Sequence, residues 1–139
     1  MKKAVFSFKE YKFLKVEMDL FDLKFSTIEL DIEPKGVFNL ASKKYKLEFV
    51  FKAFEEGNDG ENKKQIILVQ CIADFEFNEI SSFEEIPDYF YSNSIAIVFP
   101  YIRAFISTIT LQANIPPIII PTMNLTSLQE KLKSNTKEI

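Results

Sequence analysis

The chain contains no histidine and no tryptophan, one cysteine and three glycines. Without histidine there is no His-based catalytic triad, no usual general base near neutral pH, and almost no common zinc site. A single cysteine excludes an intrachain disulfide, and with it a secreted disulfide scaffold. The three glycines, Gly36, Gly57 and Gly60, supply no Gly-rich phosphate loop. Neither sign of charge dominates: 17 Lys and Arg against 20 Asp and Glu leave a net charge of -3. That balance gives no electrostatic footprint for nucleic acid and no polybasic patch for an anionic membrane. Long apolar runs are missing too. The most apolar window, Ile95 to Ile106, holds Pro100 and Arg103 and falls short of the roughly 18 apolar residues of a membrane span. No membrane insertion is expected. Lys2 and Lys3 imitate the start of a signal peptide, but Ser7, Lys9 and Glu10 break the apolar stretch that should come next. The cytosol is the expected location.

What remains is a chain of 139 residues and 16.2 kDa, the size of one domain spanning residues 1–139. Hydrophobic residues at 47% and charged residues at 27% exclude a disordered chain. Fifteen Phe and five Tyr form an unusual aromatic load. The first half alternates with period two, the strand signature. Leu14, Val16, Met18 and Leu20 alternate with Tyr11, Phe13, Lys15, Glu17 and Asp19. Ile28, Leu30 and Ile32 alternate with polar residues, and Tyr45, Leu47, Phe49 and Phe51 alternate with Lys46, Glu48, Val50 and Lys52. The polar run Glu55 to Asn62 reads as a turn, and Lys64 to Phe77 as the returning strand of an antiparallel hairpin. The pattern predicts four strands in one mostly antiparallel sheet.

The second half changes period. Ser81 or Ser82 begins a capping box that ends at Pro87. From Asn93 the apolar positions Ile95, Val98, Phe99, Ile102, Phe105, Ile106 and Ile109 step by three and four, which predicts an amphipathic helix. The helix either starts at Pro100 or kinks there. The Ile and Thr content of Phe105 to Leu111 makes a strand the competing reading. Ile115 to Pro121 carries three prolines and reads as an extended apolar connector. Leu125, Leu128 and Leu132 mark a short last helix, and Lys133 to Ile139 is polar and expected to fray.

Catalytic chemistry is scarce. Cys71 sits mid-strand among apolar neighbours and reads as an inert core thiol. Glu84, Glu85 and Asp88 read as a solvated acidic turn rather than a metal site. Arg103, alone in the most apolar window, must snorkel or find a partner, and pairing across a subunit contact is the expectation. Several strands are apolar on both faces, with Phe49 and Phe51 opposite Val50 and Phe54. Such an excess predicts an oligomer with a binding surface.

The run Ile97-Val98-Phe99-Pro100-Tyr101-Ile102-Arg103, with Ile106-Ser107 after it, resembles the long-helix motif of the SecB family of export chaperones. That pattern is an apolar pair, Phe-Pro-Tyr, one residue, then Arg. Ile115-Pro116-Pro117-Ile118-Ile119-Ile120-Pro121, with Asn124-Leu125 after it, resembles the segment beyond the helix in that family. The match spans Ile97 to Leu128, and the strand half agrees in element order and hairpin layout. The resemblance implies an α+β fold, with a four-stranded antiparallel sheet packed against a long helix and a short C-terminal helix. It implies a homotetramer, a dimer of dimers, with no cofactor, no metal and no catalytic residue. Its function would be ATP-independent holding of unfolded or precursor polypeptides in apolar grooves, with delivery to a translocase motor as the export role. Phe99, Tyr101, Ile102, Arg103 and Ile106 would serve assembly and packing. Ile115, Pro116, Ile118, Ile119 and Ile120 would line a groove, with Leu125 and Leu128 on its lid. Phe75 and Phe77 are groove candidates by strand position alone. The alternative is a dedicated chaperone or regulatory interaction module for one specific partner such as an antitoxin.

Overall fold

A computed structural model describes residues 5–24, 27–56, 62–116, 118 and 125–139, with Leu125 described by its backbone. Four long strands form first: β1 (Phe6–Met18), β2 (Ile28–Asn39), β3 (Lys44–Glu56) and β4 (Lys63–Phe77). A single 3₁₀ turn at Phe83–Glu85 leads to helix α1 (Asp88–Gln112), then helix α2 (Leu125–Ser134) and strand β5 (Thr136–Glu138). The sheet order is β1-β4-β3-β2-β5. The four long strands pair antiparallel as the alternation predicts.

Register explains where the apolar residues go. Reading across β1, β4, β3 and β2, the inward rows are Phe8–Phe75–Tyr45–Phe38, Tyr11–Ala73–Leu47–Gly36, Phe13–Cys71–Phe49–Pro34, Val16–Val69–Phe51–Ile32 and Met18–Ile67–Ala53–Leu30. Their buried members form the floor of the core, while Tyr11 and Val16 on the edge strand stay more than a third exposed. The outward rows carry charges of both signs, as in Lys12–Ile72–Glu48–Lys35 and Glu17–Leu68–Lys52–Asp31. Val50, Phe54, Leu68 and Ile72 stay half-exposed among them. A depression of 530 Å³ at one end of this outer side is lined by Lys9, Glu10, Lys44, Lys46, Asp74 and Glu76 among others. Its charges are of both signs and converge on no one ligand chemistry.

The structure departs from the sequence reading in three places. In β1, Lys9 and Leu14 have no partner on β4, since the register shifts between Phe8 and Glu10 and again between Phe13 and Lys15. Each bulge inserts one residue and reverses the parity of the rest of the strand. Tyr11, Phe13, Val16 and Met18 therefore all face inward, whereas simple alternation sets Tyr11 and Phe13 opposite Val16 and Met18.

Helix α1 begins at Asp88, directly after an extended Pro87, and runs through Pro100 without ending. Pro100 lies on the exposed side, so the carbonyl of Ala96 that loses its amide donor also faces out, where water can satisfy it. The hydroxyls of Thr108 and Thr110 donate to the carbonyls of Ala104 and Ile106, each at 2.9 Å. Phe105 to Leu111 lie inside α1, so the strand alternative does not hold, and their threonine hydroxyls are satisfied by the preceding turn. By length and composition α1 could cross a membrane, more than the interrupted window Ile95 to Ile106 suggests. One side of it, including Phe90, Ile95, Val98, Ile102 and Ile106, is buried on the sheet.

The sheet has five strands, and the fifth is parallel. Thr136 to Glu138, expected to fray, pair with Gly36 to Phe38 on the edge of β2. The Gly36 amide donates to the Asn135 carbonyl at 3.2 Å, and the Ile139 amide donates to the Phe38 carbonyl at 2.9 Å. Tyr45, 1% exposed, reaches the Thr136 hydroxyl at 2.7 Å. An unmet hydroxyl at such a depth would cost about 1–3 kcal/mol. Burial pushes the Tyr45 phenol well above its ordinary pKa, and the Thr136 contact offsets this in part. Thr-Lys-Glu has no apolar alternation, so the strand leaves no mark in the sequence.

Candidate functional site

The two helices cover the inner side of the sheet unevenly. The start of α1 is sealed by aromatic rings: Phe90, 0% exposed, stands edge-on to Phe6 at 4.8 Å, Tyr45 at 4.7 Å and Phe75 at 5.5 Å. Phe77 lies 4.8 Å from the same ring. Phe75 and Phe77 are therefore core residues, closed to any ligand in this structure. Their inward direction is the one strand position predicts. The cover comes from the first turns of α1, which start upstream of the Asn93 or Pro100 expected from the pattern.

Farther along α1 the rings reach the free edge of the sheet. Tyr101 stacks on Tyr11 at 4.2 Å, and Phe105 stacks on Phe13 at 4.0 Å. Tyr11 is 38% and Tyr101 39% exposed, beside exposed Leu14 and Val16. Among the described residues, no strand pairs with the outer side of β1. This flank is an aromatic strip bordering an open row of backbone donors and acceptors, a geometry that accepts another strand. Phe8, Tyr11, Phe13 and Phe105 were not singled out from the sequence. Their signal was present: helix positions 101 and 105 are aromatic at a spacing of four, and β1 carries aromatics at 6, 8, 11 and 13, in step with its first bulge.

The opposite end of the core stays half-open. Met18, Leu23, Ile28, Leu30, Ile109 and Ile118 are partly buried and pack against the fully buried core. Helix α1 ends here with Asn114 at φ 60°. The Asn114 amide donates to the Leu111 carbonyl at 3.0 Å and the Ile115 amide to the Thr110 carbonyl at 3.3 Å. That is a Schellman ending, in which a residue tolerant of positive φ turns the chain and lets the next one pack back on the helix. It sets Ile115 half-buried and Pro116 exposed at the start of the connector. Ile118 joins the same apolar end. Ile119 and Ile120 lie outside the described residues, as does the Leu125 side chain. Leu128 is 4% exposed and Leu132 is fully buried, so both serve to pin α2 to the core in this structure rather than offer a free lid surface. Lys133 to Asp88 at 2.7 Å and Lys131 to Glu33 at 3.7 Å tie α2 to α1 and to β2.

Of the motif residues, Phe99, Ile102 and Ile106 are buried within the subunit. The Arg103 guanidinium lies 5.2 Å over the Phe99 ring. Its Nε is buried and makes no hydrogen bond among the described residues. Within the chain the guanidinium meets the aromatic face of Phe99; the pairing across a subunit contact that the sequence suggests would involve a second copy.

Titratable chemistry is limited. Burial pushes the Cys71 thiol up to about 11 from 9.0. The folded state thus holds that proton more tightly than the unfolded state. This contribution to stability is complete below pH 9 and is lost as the pH rises through about 11. Native protein at pH 8 is expected to resist alkylation by iodoacetamide, with rapid labelling once urea unfolds it; equally fast labelling of the native form would contradict this burial. The Glu85 carboxylate accepts the Ser81 amide at 2.8 Å, but the N-cap of the 3₁₀ turn is Ser82, which makes no side-chain cap bond, so the capping box read from the sequence does not form. Among the described residues, no three His, Cys, Asp or Glu side chains are grouped to hold a metal ion.

No family model matches the sequence. The uncharacterized protein MJ0357 of Methanocaldococcus jannaschii is 50% identical over 46 residues, which is 33% of this chain and 30% of that protein. The matched part thus spans under a third of the length of that relative. Among solved structures, the Mycobacterium tuberculosis SecB-like chaperone Rv1957, in complex with a ChAD peptide from the Rv1956 HigA1 antitoxin, aligns with a TM-score of 0.67. The alignment covers 86% of this chain and 91% of that one at 14% identity. The long helix, the short helix after it and the antiparallel strands, extended here by β5, together make this a chain with the SecB-like α+β fold.

Proposed function

We infer that the chain is a non-enzymatic, polypeptide-binding chaperone, which holds unfolded or precursor segments against apolar surface without ATP. The observation that carries this reading is the half-open apolar end of the core, bounded by Met18, Leu30, Ile109 and Ile118. Apolar burial is non-directional, so a surface of this kind accepts many sequences. Covering about 500 Å² of apolar area gives roughly 12 kcal/mol before association costs of about 4–15 kcal/mol, which suits weak and reversible capture. The similarity of fold to a SecB-like chaperone solved with a peptide supports the same reading. A homotetramer in the cytosol accompanies it, with the Tyr11–Tyr101 flank of β1 as an assembly surface, and delivery to a translocase is its export form.

Native mass, measured alone and after mixing with a reduced, unfolded client, tests the proposal. The expected result is a particle near four times 16.2 kDa that gains the mass of one client. A monomer that ignores the client would overturn it. Ile118→Asp should lower client affinity about ten-fold, the equivalent of roughly 1.4 kcal/mol, with the circular dichroism spectrum retained. Unchanged affinity would remove Ile118 from the binding surface.

A second reading is favoured by one finding, that the peptide held by the similar chaperone comes from an antitoxin. On that reading this chain serves one dedicated partner. Co-purification of a single protein, with no protection of unrelated aggregating clients, would decide for it.

A further inference from the structure

The edge of β2 is already occupied, and its occupant describes what the edge can bind. Strand β5 lies parallel to it in the register Gly36–Thr136, Val37–Lys137 and Phe38–Glu138. The Gly36 amide donates to one side of this ladder and the Phe38 carbonyl accepts from the other. A third group points to the same place from inside the core. The Tyr45 hydroxyl meets the Thr136 Oγ1 at 2.7 Å. That Oγ1 also contacts the Leu132 carbonyl at 2.7 Å, where it can only donate. A hydroxyl has one proton, so Thr136 gives its own to Leu132 and accepts the proton of Tyr45. Gly36 makes the approach possible: a Cβ there would sit 1.8 Å from the Tyr45 hydroxyl oxygen and 2.7 Å from the Thr136 Oγ1. The missing side chain leaves the gap through which a buried phenol reaches the sheet edge.

We propose that the β2 edge at Gly36–Phe38 is a strand-addition site that reads a Ser or Thr hydroxyl through Tyr45, and that β5 fills it as a displaceable stand-in for an extended segment of a partner polypeptide. Two features support exchange. Only three residues pair, against thirteen positions of register between β3 and β4. The β5 side chains of Lys137 and Glu138 are exposed and add no apolar anchor. Upstream the site is bounded by Pro34, which has no amide and whose carbonyl accepts from the Asn135 side chain at 3.3 Å, so an incoming strand is confined to the stretch that β5 now fills. Selectivity comes from the phenol: a hydroxyl-bearing residue satisfies it, and Val or Ala leaves a buried donor unmet. The site deepens the polypeptide-binding reading and rests on it for the identity of the partner.

The test uses the 139-residue chain and two dye-labelled peptides, Asn-Thr-Lys-Glu-Ile, as in residues 135–139, and its twin with Val for Thr. In the Thr136→Val variant the internal strand loses its hydroxyl and competes less well. That variant should bind the Thr peptide about ten-fold more tightly than the unaltered chain does, and about ten-fold more tightly than it binds the Val twin, as expected for one buried hydrogen bond. Adding Tyr45→Phe should abolish the preference while the fold, read by circular dichroism, persists. Equal affinity of Thr136→Val for both peptides, or no binding of either, overturns the proposal. Aggregation of an unfolded client is measured in parallel. Protection of the client without peptide discrimination sinks the edge site alone; discrimination without protection keeps the site and sinks the general chaperone reading.

Discussion

Phe90→Ala is expected to cost about 3–5 kcal/mol of folding stability, the range for removing a buried aromatic ring. Phe90 is 0% exposed and touches five other rings, those of Phe6, Tyr45, Phe75, Phe77 and Tyr91, with centroids between 4.7 and 5.8 Å. Four of these contacts are edge-on, the geometry in which the positive rim of one ring meets the negative face of another. The strands beneath cannot collapse into the gap, because the ladder of β4 with β1 and β3 fixes their spacing. The loss is a large share of the roughly 5–15 kcal/mol by which a domain is stable, and the melting temperature should fall by about 10–20 °C. Phe90→Leu should cost less than half as much. Urea unfolding measures both. A cost below about 1 kcal/mol for the Ala variant would mean that the start of α1 is not locked down. Phe75 and Phe77 would then become reachable by a client after all.

The second large effect concerns assembly. Tyr11 and Tyr101 stack at 4.2 Å on the flank beside the unpaired edge of β1, and each is more than a third exposed. Within one subunit they close little of the core. If that flank meets a second copy, as proposed, both rings become buried there. Tyr11→Asp with Tyr101→Asp then sets like charges side by side and desolvates them at the contact, which weakens association by about 3 kcal/mol or more, on the order of 100-fold in Kd. Sedimentation of the double variant should show a smaller particle than the unaltered chain, with its far-ultraviolet spectrum intact. A particle of the same mass would exclude this flank as a subunit contact and leave it free for clients.

How far the residues alone reach is clearest from particular elements. The alternation of Ile28, Leu30 and Ile32, and of Tyr45 to Phe51, placed β2 and β3 with the correct side inward, because period two maps directly onto a pleated strand. The i, i+3, i+4 spacing of Ile95, Val98, Phe99, Ile102 and Ile106 placed α1 with its buried side correct. The run around Phe-Pro-Tyr and the proline-rich connector pointed to the fold that the structural comparison supports. Local periodicity and local chain geometry determine all of these.

Tertiary packing decided the rest. Whether β1 presents Tyr11 or Lys12 to the core depends on bulges at Lys9 and Leu14, which are set by pairing with β4 and not by β1 itself. Whether Phe75 and Phe77 are exposed depends on where α1 begins, and Phe90 holds that beginning through contacts with four distant positions, Phe6, Tyr45, Phe75 and Phe77. The parallel β5 could not be foreseen from Thr-Lys-Glu, since its reason lies about a hundred residues upstream, in a glycine that lets Tyr45 through to the edge. Composition and period report what each segment can bury; only the assembled sheet and helices decide what each one is buried against.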